Sequence, residues 1–169
     1  QWVFLLPKCQ MVVFQYHPTR GKSVPQDVLG NFQGCLQTDG YAGYDQLGKS
    51  QNITHIGCMA HARRKFDVAK ENDLELASYV LEQFQLLYDI ERKAREDELT
   101  AEQTGLLRTE QAIPILTELK NWLEKHYPKA LPKSAIGKAI SYTLKQWPLL
   151  IGYTQNGEWK IDNNGVENK

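Results

Sequence analysis

Two short apolar runs open the chain, WVFLL at 2–6 and MVVFQY at 11–16, separated by the polar break PKCQ. Both are rich in β-branched and aromatic residues, which predicts a β-hairpin of two buried strands. HPTRGKS (17–23) reads as a loop, marked by Pro18 and Gly21. In VPQDVLGNF, Pro25 suits a first helical turn and Val28, Leu29 and Phe32 share a face, so a short helix is expected. GCLQTD then predicts a third strand ending at Asp39, YDQLGK a further helical turn, and ITHIGC (53–58) a fourth strand. Strands alternating with short helices across 1–58 indicate an α/β sheet.

The periodicity changes after HARRKF (61–66). From 67 to about 95, Val68, Leu74, Ala77, Val80, Leu81, Phe84, Leu87, Tyr88 and Glu91 recur at three-to-four spacing, which predicts one long amphipathic helix. A second helical stretch covers about 100–126, with Leu106, Leu107, Ile113, Leu116, Leu119, Trp122 and Leu123 as its face and Pro114 as a break or kink. Ser134 is a good N-cap for a third helix through Trp147, which Pro148 is expected to end. LLIGYTQNGEWKID predicts a hairpin around Asn156-Gly157. In DNNGVENK, Asn163 or Asn164 caps the start of a last helix. The order, α/β then helical then a return, predicts a first core segment over 1–68, a helical insertion over 69–148 and a return to the core over 149–169.

Composition adds bounds. At 169 residues, with 41% hydrophobic and 24% charged positions, the chain has the make-up of one globular domain. No apolar run reaches the ~18 residues of a membrane span, and WVFLL is short and lacks the basic flank of a signal peptide. Cys9, Cys35 and Cys58 form neither an even disulfide set nor a CxxC pair, which points to a reducing, cytoplasmic setting. The two ends, one in a strand and one in a helix start, read as those of a piece of something longer. Lys plus Arg balance Asp plus Glu at 20 each, so net charge makes no case for nucleic acid. The charge is unevenly spread, however: HARRKF carries Arg63, Arg64 and Lys65, whereas 71–102 holds ten acidic residues against three basic ones.

Two carboxylates raise a question of chemistry. Asp39 stands at a strand tip and is followed by Gly40, so it reads either as a plain turn or as a rigidly held ligand beside space for a phosphate. Glu167, three residues after Asn164, reads locally as the return partner of a capping box. Taken together, LQTDGYAGY, CMAHARRKF, LPKSAIGKAISYTLKQWPLL and IDNNGVENK, in that order, resemble the insertion-sequence-66-type bacterial DDE transposases over essentially the whole chain.

The resemblance implies an RNase H-like (retroviral integrase-like) α/β fold, a mixed sheet with flanking helices interrupted by a helical insertion. It also implies three acidic residues, two Asp and one Glu, that hold two Mg²⁺ or Mn²⁺ ions. Asp39 matches the second Asp and Glu167 the Glu, while the first Asp has no counterpart in this chain. The implied activity is cleavage of transposon-end DNA and transfer of the freed 3′-hydroxyl into target DNA, by a dimer on the bacterial nucleoid. The chain alone, short of one ligand, is expected to be inactive. An RNase H-like nuclease without strand transfer is the alternative enzyme, and an interaction module or decayed remnant the non-enzymatic one.

Cys58 and His61 have CxxH spacing, but two ligands without a second pair do not make a zinc site. A packed cysteine and a hydrogen-bonded histidine is the favoured reading; the resemblance further implies that His61 helps position DNA or the scissile phosphate. Arg63, Arg64 and Lys65 are candidate phosphate contacts, and Arg20 a weaker one; a solvated helix start is the plainer alternative. Asp162, Asn163 and Asn164 are assigned to shaping the last helix start. Trp122, Trp147 and Trp159 are assigned to the core rather than to base stacking.

Overall fold

The structure is a computed structural model that describes residues 2–6, 11–18, 21 and 23–164. Strands β1 (Trp2–Leu6) and β2 (Met11–Gln15) pair antiparallel, with Trp2 opposite Gln15 and Leu6 opposite Met11. Helix α1 (Ser23–Leu29) leads to β3 (Gly34–Thr38). Two short 3₁₀ turns, Ala42–Tyr44 and Leu47–Lys49, connect β3 to β4 (Ile53–Gly57), which pairs with it in parallel, Gly34 opposite Ile53 and Thr38 opposite Gly57. These are the elements the alternation predicts, but among the described residues they form two separate two-stranded sheets rather than the one mixed sheet expected. The first hairpin is also less buried than expected: Val13 is 37% and Phe14 56% exposed. Among the described residues the hairpin pairs only with itself, so no neighbouring strand covers its apolar positions.

The helical part divides differently from its hydrophobic pattern. Instead of one helix beginning near 67, α2 (Met59–Ala69) starts directly after β4 and α3 (Leu74–Glu96) follows it. The break lies in KEND, where the Asp73 carboxylate accepts the Leu76 N–H at 3.0 Å and caps α3. Helix α4 (Ala101–Leu107) opens on a capping box between Thr100 and Gln103. A wide π-helical turn, Arg108–Ala112, joins it to α5 (Ile113–His126). Pro114 lies in the first turn of α5, where its missing N–H costs little, and the irregularity falls on the turn before it.

Helix α6 (Ala135–Leu150) starts where expected, with the Ser134 hydroxyl accepting the Gly137 N–H at 3.1 Å, yet it runs through Pro148 to Leu150. A proline so close to a C-terminus breaks a single intrahelical hydrogen bond, and the buried Trp147 and Leu150 hold the last turn in place. The hairpin expected next is absent. Ile151–Gln155 is a 3₁₀ helix, and Asn156-Gly157 makes a turn closed by Trp159 N–H to the Asn156 carbonyl at 3.1 Å. Gly157 lies against the backbone of α4, where an added Cβ would sit 1.9 Å from the Ala101 carbonyl oxygen. Close approach, rather than a hairpin, explains this glycine.

The core lies between α2, α3, α5 and α6. Ala77, Val80, Phe84, Leu87 and Ile90 of α3 face Phe66 of α2, Leu116, Leu119 and Leu123 of α5, and Ile140 of α6 in one cluster. Phe66 and Phe84 meet edge to face at 5.9 Å. Burying each such side chain contributes about 1.5–3 kcal/mol. Trp147 is buried, and Trp122 and Trp159 pack partly buried against the same cluster, in agreement with their assignment to packing. No described helix is long and apolar enough to cross a membrane.

Candidate functional site

Asp39 follows the last ladder residue of β3. Thr38 is buried and Asp39 exposed, so the carboxylate leaves the sheet at its C-terminal edge. Its Oδ1 accepts the Tyr41 N–H at 2.9 Å, which closes an Asx turn, and its carbonyl accepts the Tyr142 hydroxyl of α6, also at 2.9 Å. Gly40 has φ 81°, in the left-handed region, and a Cβ there would lie 2.9 Å from the Tyr142 hydroxyl and 3.2 Å from the Gln146 side chain. The glycine is therefore needed where helix α6 approaches it. Tyr44 and Tyr142 both lie within the field of the Asp39 carboxylate. Burial first, and then that charge, push each phenol up to about 12, so both stay protonated at neutral pH.

A second group of residues arrives from the far end of the chain. The Gln37 side-chain amide donates to the Gly57 carbonyl at 3.0 Å and to the Lys160 carbonyl at 2.9 Å. Met59 N–H donates to the Ile161 carbonyl at 3.0 Å, and Asn163 N–H to the Cys58 sulfur at 3.4 Å. The Asp162 carboxylate accepts the Asn164 N–H and the Asn164 side-chain amide, each at 3.1 Å, which closes an Asx turn; the helix expected to follow lies outside the described residues. Residues 160–164 thus lie along the ends of β3 and β4 and the start of α2. Glu167 and Arg20 lie outside the described residues.

Cys58 is buried between these segments. Burial pushes its thiol up, against the pull of the Asn163, His61 and Ala60 N–H groups, while Asp162 adds to the rise. The buried, protonated thiol packs between the three segments. His61 lies half-buried on the first turn of α2. Tyr88 of α3 faces the same place, and burial and then the Asp162 carboxylate hold its phenol protonated. The three basic residues are exposed on α2. The Arg63 guanidinium lies 5.9 Å from the centre of the Tyr88 ring, and the Lys65 ammonium 4.4 Å from that of Tyr142.

The structure therefore makes two adjoining groups: Asp39 with Tyr142 and Lys65, and Asp162, Asn163 and Asn164 with Cys58. Gln37, Tyr142 and Gln146 were not marked by the sequence. Gln37 sits inside a strand, and Tyr142 and Gln146 lie on a helix whose pattern speaks only of packing, so no local signal sets them apart.

Asp39 offers the hard oxygen ligands that Mg²⁺ or Mn²⁺ prefers, from a position held by its own turn and by α6. The donor chemistry fits a divalent cation. Among the described residues, however, no group of three or more His, Cys, Asp or Glu side chains gathers closely enough to hold one.

Comparison with known proteins gives the family. The model described as "Transposase IS66 family" matches residues 1–169, and the chain belongs to that family. Similar relatives come from Sinorhizobium fredii (strain NBRC 101917 / NGR234). The uncharacterized protein y4jD is 31% identical over 172 residues, covering 95% of this chain and 32% of the relative. The uncharacterized protein y4qI is 31% identical over 165 residues, covering 93% of this chain and 30% of the relative. The chain thus spans about a third of the length of these curated relatives. No solved structure matches.

Proposed function

We propose that this chain is part of the catalytic core of a DDE transposase with an RNase H-like fold, in which Asp39 and Glu167 are two of three acidic metal ligands. The reaction is cleavage at the ends of a mobile DNA element followed by attack of the freed 3′-hydroxyl on target DNA. One observation carries the reading: Gln37, two residues before Asp39, is hydrogen-bonded to Lys160, 123 positions away. The segment that leads to Glu167 is thereby brought beside the strand that carries Asp39, across the whole helical insertion.

A pair of divalent ions, when bound, supplies activation of the attacking oxygen and stabilisation of the leaving one. This chain's own residues hold the geometry. Tyr41 N–H and Tyr142 fix Asp39 from two sides, and the Asp162 carboxylate holds Asn164 in the segment that leads to Glu167. The third carboxylate comes from a segment of the longer protein outside this chain. Among the described residues β3 is paired with β4 alone, so its other edge is available to a further strand. The protein acts in the bacterial cytoplasm, as a dimer that holds two element ends.

The test uses the full-length protein with Mg²⁺ and pre-cleaved element ends. Joining to a target plasmid, lost in Asp39→Asn and in Glu167→Gln, supports the proposal. Nicking without joining favours an RNase H-like nuclease. Joining at the unaltered level in both variants overturns the assignment of the two carboxylates.

A further inference from the structure

Charge is segregated among the packed helices. Helix α6 contains Lys138 and Lys145 and no acidic residue, and its neighbour α2 contains Arg63, Arg64 and Lys65 against Asp67 alone. Helix α3 carries five acidic residues against three basic ones. Lys138, Tyr142 and Lys145 recur at four and then three positions, so they lie on one face of α6, opposite the buried Ile136, Ile140, Thr143 and Trp147. Both lysines are exposed. Tyr142, between them, donates to the Asp39 carbonyl and lies under the Lys65 ammonium. The row therefore runs past Asp39 and continues onto α2.

We propose that this outer face of α6, Lys138, Tyr142 and Lys145, together with Lys65 of α2, binds the phosphate backbone of duplex DNA and carries the strand past Asp39. The proposal rests on the DNA-processing reading above and adds to it a DNA-contact role for the last helix of the insertion. Charge complementarity selects the occupant. Lysines at three-to-four spacing are point-charge donors to phosphates, and α6 itself carries no carboxylate to repel a polyanion. Such contacts are independent of sequence and strongly dependent on salt.

The experiment measures binding of the 169-residue chain to a short fluorescein-labelled duplex of arbitrary sequence by anisotropy across a range of salt concentrations. No step requires the third carboxylate, so the result does not depend on catalysis. Lys138→Gln with Lys145→Gln should lower affinity on the order of tenfold and flatten the dependence of log affinity on log salt by about two. A charge-matched control, Lys93→Gln with Lys120→Gln on α3 and α5, should leave the slope near its original value. Equal slopes for the two double variants overturn the proposal, because only net charge then matters. So does an unchanged affinity in the α6 variant accompanied by loss of self-association in sedimentation, which would make this face a contact for the acidic helices of a second copy. Either outcome leaves the assignment of Asp39 and Glu167 to be judged separately by the joining assay.

Discussion

The side-chain amide of Gln37 donates to the carbonyl of Lys160 at 2.9 Å and, with its other hydrogen, to that of Gly57 at 3.0 Å. One polar side chain therefore joins both strands of the parallel pair to the segment that returns after the helical insertion. Gln37→Leu keeps the size and removes both bonds, leaving two carbonyls without their donor. The expected loss of stability is about 1–3 kcal/mol in urea unfolding. In the full-length protein it should also lower DNA cleavage by more than the stability loss explains, because the segment before Glu167 is released.

Gly40 and Tyr142 should act as a coupled pair. Gly40→Ala forces a Cβ into left-handed backbone and against the Tyr142 hydroxyl, at a cost of about 1–3 kcal/mol. Tyr142→Phe removes one hydrogen bond to the Asp39 carbonyl, about 0.5–1.5 kcal/mol, and opens space above Gly40. The double variant should be less destabilised than the sum of the two, which a double-mutant cycle in urea measures.

Arg108 is the most heavily bonded side chain of the helical part. It is 2% exposed and forms two bonds to the Glu91 carboxylate, at 2.8 and 2.7 Å. The other three go to the carbonyls of Tyr153, Asn156 and Trp159, each at 2.8 Å, so its five N–H donors are all used. Arg108→Met leaves Glu91 as a buried charge without its partner and frees the turn before Asp162, with an expected loss of about 3–5 kcal/mol. Adding Glu91→Leu should recover part of that loss but not all of it, since the three carbonyls still lack a donor. Thermal and urea unfolding of the single and double variants provide the check.

His55 predicts a dependence on pH. Its Nε2 lies 2.8 Å from the Thr38 hydroxyl, one residue before Asp39. Burial lowers its pKa, against a smaller upward pull from Asp45. The unfolded chain therefore takes up the proton first. Stability from this site is present above the ordinary histidine value of 6.5 and is lost as pH falls through the lower folded value. Urea midpoints between pH 8 and pH 5 should fall more in the unaltered protein than in His55→Gln, whose side chain can still bond Thr38. Parallel curves would show that His55 is not the group responsible.

Most helices and strands were legible because each has a local physical cause. Ser134 caps α6, the three-to-four spacing of Ala77, Val80, Phe84 and Leu87 turns one face of α3 inward, and GCLQTD and ITHIGC are the short apolar runs that become β3 and β4. What misled was local as well. Asn156-Gly157 is a strong hairpin signal, but Gly157 is placed by its fit against Ala101, and the residues before it continue α6 as a 3₁₀ helix. Pro148 signals an end, yet the packing of Trp147 and Leu150 carries the helix past it.

Sequence alone determined most of the element types, the uneven charge and the kinship with IS66-family transposases, because propensity, periodicity and motif order are properties of neighbours along the chain. Only the tertiary structure decided that β3 and β4 pair in parallel, that Tyr142 and Gln146 close over Gly40, that Arg108 finds Glu91, and that Lys160 returns to Gln37. Those contacts join residues from 17 to 123 positions apart, and hydrogen bonds at that range are set by how helices pack, which no short window of sequence contains.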